Sequence, residues 1–584
     1  MRLLQLLTVL VLLSLTAPSC CHSQPVQPVK AAQADTLMPW QRRPDSIPTT
    51  YFDPPLQCPV SMSGTFAEPR SNHFHGGIDL RIGGVVGEKV YAPADGWVSR
   101  VKVSPWGGGK TLYITHPNGI RTVYMHLDDF CGEMASYVLA FQYSHHTFVL
   151  DEEFPVGKYP VKRGQLIGYA GNTGGSGGPH LHYETRYAYN DEPFNPLYLG
   201  LPYTDAVLPV VRGVHVYGAD GKVLSAKAGQ TLNVSAGRCY LGICASDVSE
   251  TGSSGRNGIE RIELYCDDSL FWTYNVHSFL YEDTRAINAI IDYAEYRRSG
   301  MAYFLTRRLR GDPSPHSKPV NADGYLTLVL GESYKMRYVV RDTKDNATEM
   351  EFSLHAVASS LQAIAASTKT PAGVATSVPV TYFKKTVLRD SSFQAVLEAN
   401  TAYDNDWLDL SEVAYPNMLS IGYKLRLRTN DLPPSMAYTI RIAQPPAGSA
   451  LRDRMIIVHI DGSKTTALAT RVEGDWLVAS PRVFGTFAVT TDNEPPKCRP
   501  VNFAAGKPVN KNDLRVKITD NLSGIEDYNC YINGQWVLAE FDGKSATLAM
   551  SPRSFLHQGN NTLRVVLHDA AGNETVAEYN ILSN

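Results

Sequence analysis

The chain has 584 residues, enough for about three to five domains, and with 43% hydrophobic and 19% charged residues each domain can bury a core. A formal net charge of −3 gives no electrostatic case for a nucleic-acid partner. Nine cysteines without a CxxC pair argue against a four-cysteine zinc site and against a dense disulfide framework.

In chain order, the first segment is "MRLLQLLTVLVLLSLTAPSCCHSQ". One arginine precedes an apolar run that ends in small residues and cysteine, so 1–22 reads as a secretory signal, too short for a membrane span. Cys20 or Cys21 is positioned to carry a lipid after cleavage, although Ala17 stands where bacterial lipoproteins usually have leucine. Residues 23–50 are polar and proline-bearing and read as a tether.

From 51 to 202 the chain is rich in glycine, histidine and short alternating runs. "KVYAPADGWVSRVKV" and "GKTLYITHPNGIRTVYMHL" predict antiparallel strands, with "HPNGI" as a hairpin turn. After 205 short strands separated by turn clusters dominate. "GIERIELYCDDSLFW" resembles "GIEDYNCYINGQW", and the pairs Asp342/Asn346 and Asp569/Asn573 recur in the same setting. Two immunoglobulin-like β-sandwiches are therefore expected, over 205–357 and 493–584, with the Asp…Asn pairs bonding their own turns. An alanine- and serine-rich linker (358–379) and a further sandwich-like domain (380–492) lie between them. Cys239 and Cys244 either form a bridge, if export leads to an oxidising compartment, or remain buried thiols.

The histidines carry the chemistry. Eight of the sixteen lie between residues 73 and 182, where an even scatter would put about three, so a metal site is indicated. In "NHFHGGIDL" His75 and Asp79 are four apart across a glycine pair; in "PHLHYE" His180 and His182 share one face of a strand with Leu181 turned to the core; "TVYMHLDD" puts His126 at a strand end. One tetrahedral ion cannot easily take all four of His75, Asp79, His180 and His182 and keep a water. Three ligands with two imidazoles beside them is the economical arrangement.

"HGGID", "YMHL", "GQLIGYAGNTG" and "GPHLHYETR…NP" together resemble the LytM/lysostaphin-type zinc metallopeptidases of peptidase family M23, over about 60–200. The resemblance implies a mainly β protein, with an antiparallel-sheet peptidase domain at 51–202 ahead of the sandwiches. It implies Zn2+ held by His75, Asp79 and His182, with His126 and His180 as the catalytic, non-ligand histidines. Some members carry a tyrosine that helps the oxyanion about nine residues before the first ligand; Phe66 stands there in this chain. The segment from about 129 to 160 is longer than the compact family pattern, and His145 and His146 within it read as exposed or structural. His73 and His116 read as non-ligands. The glycine loop 170–179 reads as a groove wall.

The expected activity is that of an exported zinc endopeptidase, in the periplasm, cell envelope or medium, acting on peptidoglycan peptides. The sandwiches would position it or bind cell-envelope proteins, and membrane contact would be through the lipid anchor alone. Two other readings share these features: a non-catalytic wall-binding regulator of other hydrolases, and a secreted zinc protease for glycine-rich proteins.

Overall fold

The computed structural model describes residues 46, 49–247, 257–358, 371–446 and 448–583. The expected signal segment, the candidate lipid anchors Cys20 and Cys21, nearly all of the tether and most of the 358–379 linker lie outside the described residues.

The histidine-rich region folds as an eleven-stranded sheet whose described pairings are antiparallel. Along its main path run Met62–Gly64, Ile78–Arg81, His180–Tyr187, Ile120–Phe130, Lys110–Thr115, Gly96–Val103 and Pro160–Val161. The turn in "HPNGI" joins Lys110–Thr115 to Ile120–Phe130, as its hairpin signal requires. One face of the central strands packs a core with Ile78, Leu80, Leu181, Tyr183 and Tyr124, all essentially unexposed. Period two then sends Asp79, His180, His182 and Glu184 to the other face.

The long segment after 129 contains the helix Gly132–His145, docked on this core through Met134 and Val138. His145 is exposed and stacks on Phe141, whereas His146 stacks on Trp536.

Three pairs of sheets follow, each pair enclosing its own apolar cluster. Between 210 and 357, sheets of five and six strands pack over Trp272, Tyr274, Tyr338 and Phe352. Between 376 and 491, sheets of six and five strands pack over Phe393, Tyr423 and Phe487. The last pair, four strands each, packs over Val516, Leu548 and Val565. The internal repeat is geometric as well as textual. Asn346 Nδ2 donates to Asp342 Oδ2 (2.8 Å) and to Asp205 O (3.1 Å); Asn573 Nδ2 donates to Asp569 Oδ2 (2.7 Å) and to Asp492 O (3.1 Å). Each aspartate also accepts backbone N–H bonds from its own turn.

One open alternative is decided and one expectation is corrected here. Cys239 and Cys244 are both free. They share the strand Gly237–Ser246, where five residues at about 3.3 Å each hold them far beyond the Cα separation a disulfide tolerates. His126 is not at a strand end; it sits inside Ile120–Phe130 at positive φ (62°), where the register with Lys110–Thr115 slips. Among the described residues no helix is long and apolar enough to cross a membrane.

Candidate metal centre and active site

Three adjacent strands bring the sequence motifs together. His182 lies directly opposite Asp79 on one side and Met125 on the other, so the HLH, HGGID and YMH segments meet by register. His182 Nδ1 is 2.9 Å from Asp79 Oδ1, His75 Nε2 is 3.1 Å from the same oxygen, and the two imidazole nitrogens are 3.1 Å apart. All three side chains are buried. A tetrahedral ion with bonds of about 2.0–2.1 Å has donor–donor edges of about 3.3–3.4 Å. The three atoms need to spread by only a few tenths of an ångström to hold one.

The second nitrogen of each imidazole is held from outside. His75 Nδ1 donates to Thr65 O (2.7 Å), and His182 Nε2 to Glu184 Oε1 (2.9 Å). These bonds fix which nitrogen faces the other ligands. Asp79 gives its second oxygen to Arg70 Nη2 (3.0 Å). Burial works against the Asp79 anion, but His75 beside it, with His180 and His182, holds its carboxyl well below the usual range. Burial also opposes a charged His182, yet Asp79 and Glu184 on either side of the ring outweigh it and push the pKa up to about 9. Glu184 is pulled down to about 2: Arg186 and His182 overcome the cost of its burial.

His180 and His126 stand beside this triad. His180 Nδ1 donates to Gly178 O (2.8 Å), which leaves Nε2 as an acceptor, 3.3 Å from Asp79 Oδ1. His126 Nδ1 donates to Thr173 O (2.8 Å), and its ring lies 4.9 Å from that of His180 and 6.0 Å from that of His182. Burial, with His182 and His180 close by, pushes its pKa down to about 3 and keeps it neutral. The bulge explains its placement. An extra residue at positive φ turns the side chain of a strand position that would otherwise lie flat in the ladder.

The glycines of both motifs have separate reasons. A Cβ on Gly77 would sit 2.3 Å from Tyr183 O, and one on Gly76 would sit 2.6 Å from the Tyr281 hydroxyl. In the 170–179 loop, Gly174 (φ 69°) abuts the Gly107–Gly109 turn, whereas Gly177 and Gly178 face open space. That turn and that loop both anchor His126, through Gly108 O and Thr173 O. The last sandwich reaches them as well: Lys110 Nζ pairs with Glu540 (3.1 Å), Trp106 packs edge-on to Phe541, and Lys544 donates to Asn172 O.

The other predicted residues fall outside the triad. His73 is exposed and bonds Ser71 O. His116 is fully buried between Asp95 O and Thr122 Oγ1, both at 2.9 Å. Phe66 stacks on Phe279 of the following sandwich, 5.4 Å between centroids, and belongs to that apolar contact. Sequence reasoning did not single out Glu184, Thr65, Arg70 or Tyr281. Glu184 alone carried a signal: it lies two residues after His182, hence on the same strand face.

Comparison with known proteins adds to this geometry. The family model "Peptidase family M23" matches residues 73–140 and 146–196, and so takes in the triad and both flanking histidines. The chain carries a peptidase domain of family M23. A second model, "Zu5-like domain", matches 378–492. An uncharacterized metalloprotease of Haemophilus influenzae is 31% identical over 30% of this chain and 33% of its own length. The DD-carboxypeptidase/endopeptidase Mpg of Neisseria meningitidis is 34% identical over 22% of this chain and 23% of its own. The chain thus spans about a third or less of the length of the curated relatives it matches. Among solved structures, a zinc containing peptidase from Vibrio cholerae aligns at 25% identity with a TM-score of 0.19, over 27% of this chain and 41% of that one.

Proposed function

We propose that the chain is an exported zinc metalloendopeptidase that hydrolyses peptide bonds in bacterial peptidoglycan. The observation that carries this reading is the convergence of His75 Nε2, Asp79 Oδ1 and His182 Nδ1 within 3.1 Å of one another. Two imidazoles and one carboxylate form the donor set of a catalytic zinc, which keeps a fourth position for water. When bound, zinc supplies Lewis-acid polarisation and a water acidic enough to react at neutral pH.

The chain's own residues do the rest. His180 is the proton acceptor: its Nδ1–H is committed to Gly178 O, so the Nε2 lone pair faces the triad and can take a proton from the attacking water and return it to the leaving amine. His126 lines the same side: its Nδ1–H is committed to Thr173 O, so its Nε2 is a second proton acceptor beside His180. The open glycines 177 and 178 leave room for a thin peptide beside His180.

The domain division we infer is a peptidase domain at 51–202, immunoglobulin-like sandwiches at 205–357 and 493–584, and the Zu5-like region between them. Peptidoglycan as substrate agrees with the name of another relative, the peptidoglycan DD-endopeptidase ShyA of Vibrio cholerae, 27% identical over 29% of this chain. The test is zinc content and muropeptide release from purified sacculi, using the full chain and His180→Ala. The expected result is bound zinc, product from the wild type and almost none from the variant. Full zinc with no product from the wild type would favour a non-catalytic regulator. Cleavage of glycine-rich proteins but not sacculi would move the substrate to protein.

A further inference from the structure

The peptidase sheet does not supply the whole surroundings of the metal ligands; the sandwich that follows it contributes on both sides. The stretch that carries His75 is clasped by that sandwich. Phe74 N donates to Thr284 Oγ1 (2.9 Å), Gly258 N donates to Thr65 Oγ1 (2.7 Å), and Tyr296 OH donates to Pro69 O (3.2 Å). Phe66 and Phe74 pack on Phe279. Thr65, gripped in this way, is the residue whose carbonyl orients His75.

On the His182 side the contact is more direct. Glu184 is 2% exposed. One of its oxygens accepts from His182 Nε2, and the other accepts from Arg186 Nε (2.6 Å) and from the hydroxyl of Tyr281 (2.9 Å), which lies 97 residues further along the chain. The Tyr281 ring is partly open to solvent (39% exposed) and lies across the Arg186 guanidinium at 4.7 Å, so only its hydroxyl end reaches the buried carboxylate. Gly76, between ligands His75 and Asp79, has no side chain where one would strike that hydroxyl.

We propose that Tyr281 is a positioning residue of the metal centre: its hydroxyl fixes the Glu184 carboxylate, which fixes the His182 ring with Nδ1 turned toward Asp79 and His75. This rests on the reading of His75, Asp79 and His182 as the zinc ligands. A carboxylate held at two points cannot swing, and an imidazole bonded to it keeps one tautomer and one ring angle. Outer partners of this kind are worth about 10–100-fold in metal affinity. The sandwich is then part of the metal site, and zinc binding reports whether the two modules are docked.

The test is the zinc dissociation constant, measured by chelator competition on the full chain. The variants are Tyr281→Phe, Tyr296→Phe and His182→Ala. Tyr281→Phe removes one hydroxyl from a partly exposed side chain and keeps the ring. We expect zinc to bind it about 10-fold or more weakly. Tyr296→Phe removes a different hydroxyl from the same contact without touching Glu184 and is expected to bind as the wild type does. Equal affinity of Tyr281→Phe and wild type overturns the proposal. So does an equal loss in both tyrosine variants, since docking in general would then be the cause. Wild type without zinc, or His182→Ala with undiminished zinc, overturns instead the ligand reading beneath it. A Glu184→Gln background provides a second route. There Tyr281→Phe should add little further loss, and fully additive effects would refute a shared path through the carboxylate.

Discussion

Replacing Gly76 with alanine tests how tightly the site is built. The added Cβ would lie 2.6 Å from the Tyr281 hydroxyl and 2.8 Å from Glu184 Oε1, both closer than carbon and oxygen approach without displacement. Glu184 has no easy retreat, because His182 and Arg186 hold it on its other sides and it is 2% exposed. The Tyr281 hydroxyl therefore has to leave, and a buried carboxylate loses one of its donors. A hydrogen bond to a charged group contributes about 1.5–3 kcal/mol, so zinc-free Gly76→Ala is expected to lose about 2 kcal/mol. Gly178→Ala is the matched comparison. It lies in a glycine run beside the same site, yet its Cβ would meet nothing within 4 Å. It should be neutral, or more stable by up to about 1 kcal/mol through the unfolded chain. Because the chain has several sandwiches, a global melt would blur the result. Native-state hydrogen exchange of the strand His180–Tyr187 reads the affected region directly. Protection in Gly76→Ala equal to that in Gly178→Ala would refute the reasoning.

Three further outcomes are expected. His182→Ala should lose both zinc and turnover, whereas His126→Ala should keep zinc and lose most turnover; metal analysis with sacculus digestion separates the two. His116 is buried neutral, with its pKa pushed by burial down to about 4 from 6.5, so its contribution to stability is complete above pH 6.5 and is lost as pH falls toward 4. Wild-type stability should therefore drop by about 2–3 kcal/mol more than that of His116→Gln between pH 7 and pH 4.5, and parallel denaturation curves at the two pH values would contradict it. In the 376–491 sandwich, Arg428 pairs at 2.7 Å with an unexposed Asp409; Asp409→Ala removes the guanidinium's carboxylate partner and should lower the midpoint of chemical denaturation, and an unchanged midpoint would contradict it.

The site was legible in the sequence to the extent that strand geometry is local. HLH puts two imidazoles on one face by period two, and the hairpin turn after His116 fixes which strand lies beside which. "YMHL" suggests a strand end for His126 because nothing in it marks a bulge; the extra residue exists only relative to the neighbouring strand Lys110–Thr115. The helix Gly132–His145 was not anticipated. For Cys239 and Cys244 the sequence left a bridge and buried thiols open, and their shared strand decides for the thiols. Phe66 was noticed for the tyrosine it replaces, and the structure gives it a different task, as part of the apolar contact with Phe279.

By itself the sequence determined the donor types, their order and the alternation that sends them to one side of a sheet, because each depends on residues a few positions apart. Only the tertiary structure decided that Asp79 faces His182 across a register, that Thr65 and Glu184 orient the two imidazoles, and that a tyrosine from the next sandwich braces one of them. The longest of those relations join segments about a hundred residues apart. They are set by packing and by the need to satisfy every buried polar group, and no local pattern encodes them.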